Sequence, residues 1–485
     1  MHVDKTRREP DKPTPGRRVL VATSLAFLMT LLSSCDAFQD NDTGFRGDNE
    51  FLSSRDITRI DQLNASLRAT LSAQALEGGL EFYRLPDSDE FDRIPQDPLN
   101  PLTRAKVWLG QLLYHETALG TSCRQESAAE TYSCAGCHFA QAGFQAATPQ
   151  GIAEGGRGFF NRKLDPAYDS SSDENTPDLQ PIRSPSSMNT AYQELMLWNG
   201  QFGGVGLNFG TEANWTGPKE ANMLGMHGLE TQAIAGMTVH RMDDVENSRV
   251  ASIPFYQRLF VEAFPADDEP VNLMNSALAI AAFERTILAN RSPFQRWLRG
   301  ETRAMSEDQM RGAILFFGKA ECSACHTGPA LSSMTFYALG MNDLDGAVDP
   351  RVDLRAFGGT VPDDVRRGRG GFTGRTADDF RFKTPQLYNL TDTPFYSHGA
   401  SFSSVRDVIA YKNAAVPQNS LVPVERLSSY FRPLGLSESE IDDLTAFIEE
   451  ALYDPELMRY VPAVLPSGNC TPHNDAQSRQ ELGCF

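Results

Sequence analysis

The 485-residue sequence predicts a mostly α fold built as two similar helical domains with long irregular loops. Three observations carry that prediction. An amphipathic helical pattern followed by a Cys-x-x-Cys-His pentad occurs twice, ending at Cys134-Ala-Gly-Cys137-His138 and at Cys322-Ser-Ala-Cys325-His326. Residues 165–185 and 342–380 are rich in Asp, Gly, Ser and Pro, which favour turns over regular structure. A chain of this length also exceeds what one hydrophobic core usually organises, so one pentad falls to each of two domains.

Residues 1–34 read as a leader: Lys5, Arg7, Arg8, Lys12, Arg17 and Arg18 precede an apolar stretch from Val19 to Leu32 that is too short to span a bilayer stably. That stretch ends Leu32-Ser33-Ser34-Cys35, which is similar to a lipobox, so Cys35 is a candidate for lipidation. The alternative is an ordinary signal peptide with a neighbouring cysteine. Residues 35–55 are polar and acidic, as a solvated tether would be. The first domain is expected over 56–300. Its opening helix runs through Leu109, Leu112 and Leu113 to His115, with Thr103 as N-cap. A long helix from Asn272 to Leu298 is expected to close it, with Gly300 as punctuation. The second domain, 301–460, starts with a capped helix from Ser306 to Phe317 and closes with a helix from Glu438 to Leu452. A tail, 461–485, holds Cys470 and Cys484. These two could form a disulfide, or either could pair with Cys123.

Each pentad reads as a covalent c-type haem site. Two thiols three residues apart reach the two vinyl groups of one porphyrin, and the next residue puts an imidazole under the iron. A zinc-knuckle half or a redox dithiol is the alternative for a single Cys-x-x-Cys, but two complete pentads with the histidine in place favour haem. Cys134, Cys137, His138, Cys322, Cys325 and His326 are therefore the candidate cofactor residues. Because c-type haem is attached after export, the leader and the pentads agree on a periplasmic location, tethered to a membrane through lipid at Cys35. The net charge is −19, and removing a leader with six basic and three acidic residues would make it −22. Such a balance argues against nucleic acid and anionic membranes, and for a basic or neutral redox partner.

The order of helix, first pentad, Arg183-Ser-Pro-Ser-Ser-Met-Asn189, Leu197-Trp198-Asn199-Gly200, Leu229-Glu230-Thr231-Gln232-Ala233, Phe283-Glu284-Arg285-Thr286, second pentad and Lys383-Thr384-Pro385-Gln386-Leu387-Tyr388-Asn389 resembles the bacterial di-haem cytochrome c peroxidase and MauG family over about residues 95–460. The resemblance implies two cytochrome c-like haem domains, a peroxidatic haem on His138 and an electron-entry haem on His326. It also implies a role for Trp198 between the haems. Calcium between the domains is implied too, with Thr391 and Pro394 retained and Ser184 where an Asn is usual.

In that family a Gln and, ten residues on, a Glu supply distal chemistry to the peroxidatic haem. Gln232 matches the first. With a one-residue gap Arg241 stands at the Glu position, after His240, and the pair either replaces the lost carboxylate or is structural. Glu154 stands where many relatives carry a His that occludes the resting haem. For the second iron the usual Met or Tyr is replaced: Lys412 falls at the ligand position, Tyr411 one before it, and Met341 is a more distant candidate. Three functions stay open. One is a peroxidase reducing hydrogen peroxide with electrons from a small cytochrome c or copper protein. Another is a MauG-like enzyme oxidising side chains of a partner protein. The third is a non-catalytic electron-transfer cytochrome.

Overall fold

The computed structural model describes residues 53–484, so the leader, Cys35 and nearly all of the acidic tether lie outside the described residues. In chain order the helices are α1 (Ser54–Gln74), α2 (Arg104–His115), α3 (Gly228–Val239), α4 (Arg249–Ser252), α5 (Pro254–Ala263), α6 (Leu273–Arg285), α7 (Pro293–Leu298), α8 (Glu307–Phe317), α9 (Asp363–Arg366), α10 (Arg369–Thr373), α11 (Val405–Ala414), α12 (Glu438–Ala446) and α13 (Ala476–Leu482). Two short antiparallel ribbons accompany them. β1 (Gly156–Arg157) pairs with β2 (Lys163–Leu164), and β3 (Phe336–Tyr337) pairs with β4 (Phe382–Lys383). The fold is mostly α, as the periodicities predict.

Local capping explains why the helices start where they do. Thr103 accepts from the Lys106 N–H at the start of α2. Ser306 with Gln309, and Ser437 with Glu440, form reciprocal capping boxes on α8 and α12. The sequence reading did not anticipate α1, although Ser53 and Asp56 form the same box. The helix expected over Asn272–Leu298 is two helices. α6 ends at Arg285, and Ser292 caps α7 with Pro293 in its first turn. A proline has no N–H to offer an upstream carbonyl and its ring crowds the preceding turn, so it starts a helix better than it continues one. The closing helix is α12 up to Ala446 and then a π-helical turn, Phe447–Ala451.

One packing device is used twice. A Cβ on Gly110 of α2 would lie 1.8 Å from the Ala279 carbonyl oxygen of α6, and a Cβ on Gly312 of α8 would lie 1.9 Å from the Asp443 carbonyl oxygen of α12. Each helix that precedes a pentad thus crosses a later helix in backbone contact, which only glycine permits. α3 is locked to α6 by a buried two-point ion pair, Arg285 Nε and Nη2 to Glu230 at 2.9 and 2.6 Å. The apolar core runs without a break from Leu67 and Leu113 through Phe283 and Phe317 to Phe447 and Leu452.

Candidate functional site

Both pentads are wound alike. The chain makes a 3-10 turn at Cys134–Gly136 and again at Cys322–Ala324, and the His138 and His326 N–H groups donate to the Cys134 and Cys322 carbonyls at 3.1 and 2.9 Å. Each imidazole then meets a backbone carbonyl through Nδ1: His138 with Phe144 at 3.3 Å, and His326 with Leu331 at 3.1 Å and Pro385 at 3.0 Å. Nδ1–H donation to a carbonyl leaves the Nε2 lone pair as the free donor, the arrangement a metal-ligating histidine needs. Burial pushes both imidazoles down to about 4, so they are neutral near pH 7. Burial likewise raises the thiols, Cys137 and Cys322 each to about 12. Among the described residues no three His, Cys, Asp or Glu side chains gather as a metal-ion site. Two thiols and one free imidazole nitrogen in a single turn fit a haem c at each pentad.

A cavity of about 300 Å³ opens at the second pentad, lined by Cys322, Cys325 and His326 and also by Trp198, Met341 and Lys412. Trp198 is held there by its Nε1–H, which donates to the Arg183 carbonyl at 2.8 Å. Lys412 reaches the cavity with its ammonium 5.6 Å from the Phe431 ring centre, and burial lowers its pKa. Tyr411 does not line the cavity. Its hydroxyl donates to the Leu339 carbonyl at 2.5 Å, and its ring packs among Phe402 and Phe431. Successive helical positions diverge by about 100°, so Lys412 and Tyr411 cannot both face one iron.

At the first site, Gln232, Gly236 and His240 follow one another at helical spacing at the end of α3. A Cβ on Gly236 would lie 3.7 Å from Gln232 Nε2 and 3.9 Å from His240 Cδ2, so the two side chains flank a gap that glycine leaves open. The positive charge of His240 is the second cause, after burial, holding His138 low. His240 Nδ1 donates to Asp178 Oδ2 at 2.7 Å. Arg241 sits in the left-handed region, φ 58°, and its guanidinium turns away from His240 onto Glu154. Glu154 is fully buried. It also accepts from Tyr168 Oη at 2.9 Å and from the Arg124 and Gln125 N–H groups at 2.8 and 3.0 Å. The structure therefore brings Gln232 and His240 together and commits Arg241 to an ion pair. Sequence reasoning missed Asp178, which lies in a stretch read only as loop.

The tail packs on the first pentad. Its pairing is Cys470 with Cys484, leaving Cys123 free. Ser133 Oγ donates to the Pro472 carbonyl at 3.0 Å, the Asn474 N–H donates to Thr131 at 3.0 Å, and Arg162 pairs with Asp475 at 3.1 Å. The buried His473 ring lies against Gly136, where a Cβ would come within 2.9 Å of its Nε2.

Residues 104–303 match the family model described as di-haem cytochrome c peroxidase. The methylamine utilization protein MauG of Methylorubrum extorquens is 27% identical over 392 residues, 81% of this chain and 89% of that protein. The cytochrome-c peroxidase IdrP1 of Denitromonas iodatirespirans is 29% identical over 392 residues, 78% of this chain and 89% of that protein. The cytochrome c551 peroxidase of Pseudomonas aeruginosa is 27% identical over 265 residues, 54% and 67% of the two chains. The crystal structure of a MauG-like protein associated with microbial copper homeostasis shares the fold, with a TM-score of 0.51 at 22% identity over 77% of this chain and 96% of that one. Both pentads, the helix order and these relatives agree: the chain is similar to the di-haem cytochrome c peroxidases and MauG proteins.

Proposed function

We propose that the protein is a peroxidase that reduces hydrogen peroxide to two waters at the first pentad, with electrons from a small cytochrome c or copper protein entering at the second. The balance is two electrons and two protons per peroxide. Haems at the two pentads would supply an iron to bind peroxide and a second iron to hold an electron. Cys134, Cys137 and His138 would hold the first, and Cys322, Cys325 and His326 the second. Lys412 is the side chain best placed to complete the second iron's ligand set. The reading includes export to the periplasm, with Cys35 as lipid anchor.

The observation that carries this reading is the open face of α3, where Gln232 and His240 flank Gly236. Breaking the O–O bond needs one group to take a proton from the nearer oxygen and return it to the leaving one. The His240 imidazole can do both, and Gln232 can donate a hydrogen bond to the departing oxygen. Peroxide consumption with a reduced small cytochrome c as donor tests it. On fully haem-loaded protein, His240→Ala should slow turnover by on the order of 10²-fold and Gln232→Ala by less. A His240→Ala rate within about twofold of wild type would remove His240 from the chemistry.

The second reading, oxidation of side chains on a partner protein, is favoured by the amine of Lys412 standing in the second cavity where peroxidases of the family use Met. Replacing a thioether by a harder donor lowers the potential at which that iron gives up an electron. The two readings part on one measurement. A peroxidase consumes peroxide only while a reduced small redox protein is supplied, whereas the protein-modifying enzyme consumes it against a protein whose aromatic side chains lose electrons.

A further inference from the structure

We propose that Asp178 is the positioning residue of the first site: its carboxylate fixes the tautomer and orientation of His240, so that the proton-handling unit is an Asp–His pair assembled from two segments. This rests on the reading of His240 given above and adds a residue from outside the helix that carries it.

Asp178 is only 6% exposed, and its backbone is pinned on both sides, its N–H donating to the Glu154 carbonyl at 2.9 Å and its carbonyl accepting from the Ala153 N–H at 3.1 Å. The carboxylate is thus delivered from the loop at a fixed place. Its 2.7 Å bond to His240 Nδ1 puts the proton on that nitrogen and leaves Nε2 as the exchanging atom. The left-handed turn at Arg241 then separates two adjacent charges, sending His240 to Asp178 and Arg241 to Glu154. A carboxylate missing from the end of α3 is replaced by two, Glu154 before the β1–β2 ribbon and Asp178 after it, each holding one of the two residues there.

The charged groups facing His240 are Asp178 from the loop, Arg241 beside it, and His138 across the site. Burial, the largest single cause, lowers the His240 pKa, the Asp178 charge and hydrogen bond together raise it by more, and Arg241 opposes, leaving it above the ordinary value. Below that pKa the imidazolium donates a proton, and above it the neutral ring accepts one.

Fluoride binding to the ferric, fully haem-loaded protein reads this directly, because fluoride enters with a proton that a neighbouring donor must hold. In wild type, fluoride affinity should fall above a midpoint higher than the ordinary histidine value of about 6.5. Asp178→Asn should move that midpoint down by on the order of one pH unit, about a tenfold loss of affinity near pH 7. Asp178→Glu, which keeps the charge, should restore most of it. If His240→Ala abolishes the limb while Asp178→Asn leaves it in place, Asp178 does not act and the His240 reading stands. If His240→Ala leaves the limb unchanged, the His240 reading itself falls. A wild-type midpoint at or below about 6.5 overturns the pair even where the Asn variant fails to load haem.

Discussion

Phe144 and Leu331 do the same unusual thing. Each is a non-glycine residue in left-handed backbone, φ 55° and 45°, and each turns its carbonyl onto the Nδ1 of a pentad histidine. Such conformations cost about 1–3 kcal/mol and persist where the surroundings impose them, here at the two places where an imidazole must be aimed. Removing one attachment site should leave the other intact: Cys134→Ala with Cys137→Ala should halve the haem per chain in a pyridine haemochrome assay. Lys412→Ala should convert the second haem from low to high spin in the visible and EPR spectra. Tyr411→Phe should leave the spin state alone, because that hydroxyl binds the Leu339 carbonyl instead. The pentad imidazoles also set a pH window. Burial holds His138 and His326 at about 4 in the folded chain, below an unfolded value of about 6.5, so the unfolded state binds more protons between the two. In the haem-free chain stability should therefore fall as pH drops from about 6.5 to 4, by on the order of 1–3 kcal/mol per histidine. Urea unfolding of the haem-free chain at stepped pH checks the slope, and a flat profile there would show these rings solvated.

At the level of the helices, the crossings of α2 on α6 and of α8 on α12 are the features that hold each pentad against its core. Gly110→Ala or Gly312→Ala would drive a methyl group into a carbonyl oxygen, and overpacking of this kind costs typically 1–3 kcal/mol. Gly110→Ala should disturb the absorption of the first haem and Gly312→Ala that of the second, each with a lower melting temperature. Equal disturbance of both haems by either variant would contradict the pairing. The same helices mark the border of what the sequence made legible. Caps at Thr103 and Ser306, and the pentads themselves, are local signals spread over a few residues, and the structure has them where expected. The break between α6 and α7 was missed because apolar periodicity continues through Ile287 and Phe294 while Pro293 restarts the helix. Asp178 was not legible at all. Its partner His240 lies 62 residues on, and nothing in the composition of a turn-rich loop distinguishes the one carboxylate that folds against it.

Across the whole molecule, residues 53–484 share one apolar core that passes through both halves, and the tail returns to cover the first pentad. Closing the 14-residue separation between Cys470 and Cys484 should contribute about 3 kcal/mol by restricting the unfolded chain. Cys470→Ser with Cys484→Ser should lower the melting temperature and loosen the first haem's environment while the second haem's spectrum stays as it was. Labelling with a fatty-acid precursor tests the other end: wild type should be labelled and Cys35→Ala should not. The continuity of the core has a practical consequence. Because the main apolar core is shared by both halves, anything that grips one site selectively in the folded state stabilises the other half through it. A small anion such as cyanide, bound at the first iron alone and present at a hundred times its Kd, should add about 2.7 kcal/mol to the stability of the whole chain. A single thermal melt followed at α12, far along the sequence from that iron, should then shift upward by a few degrees, and so work as a thermometer for occupancy of a site it never touches.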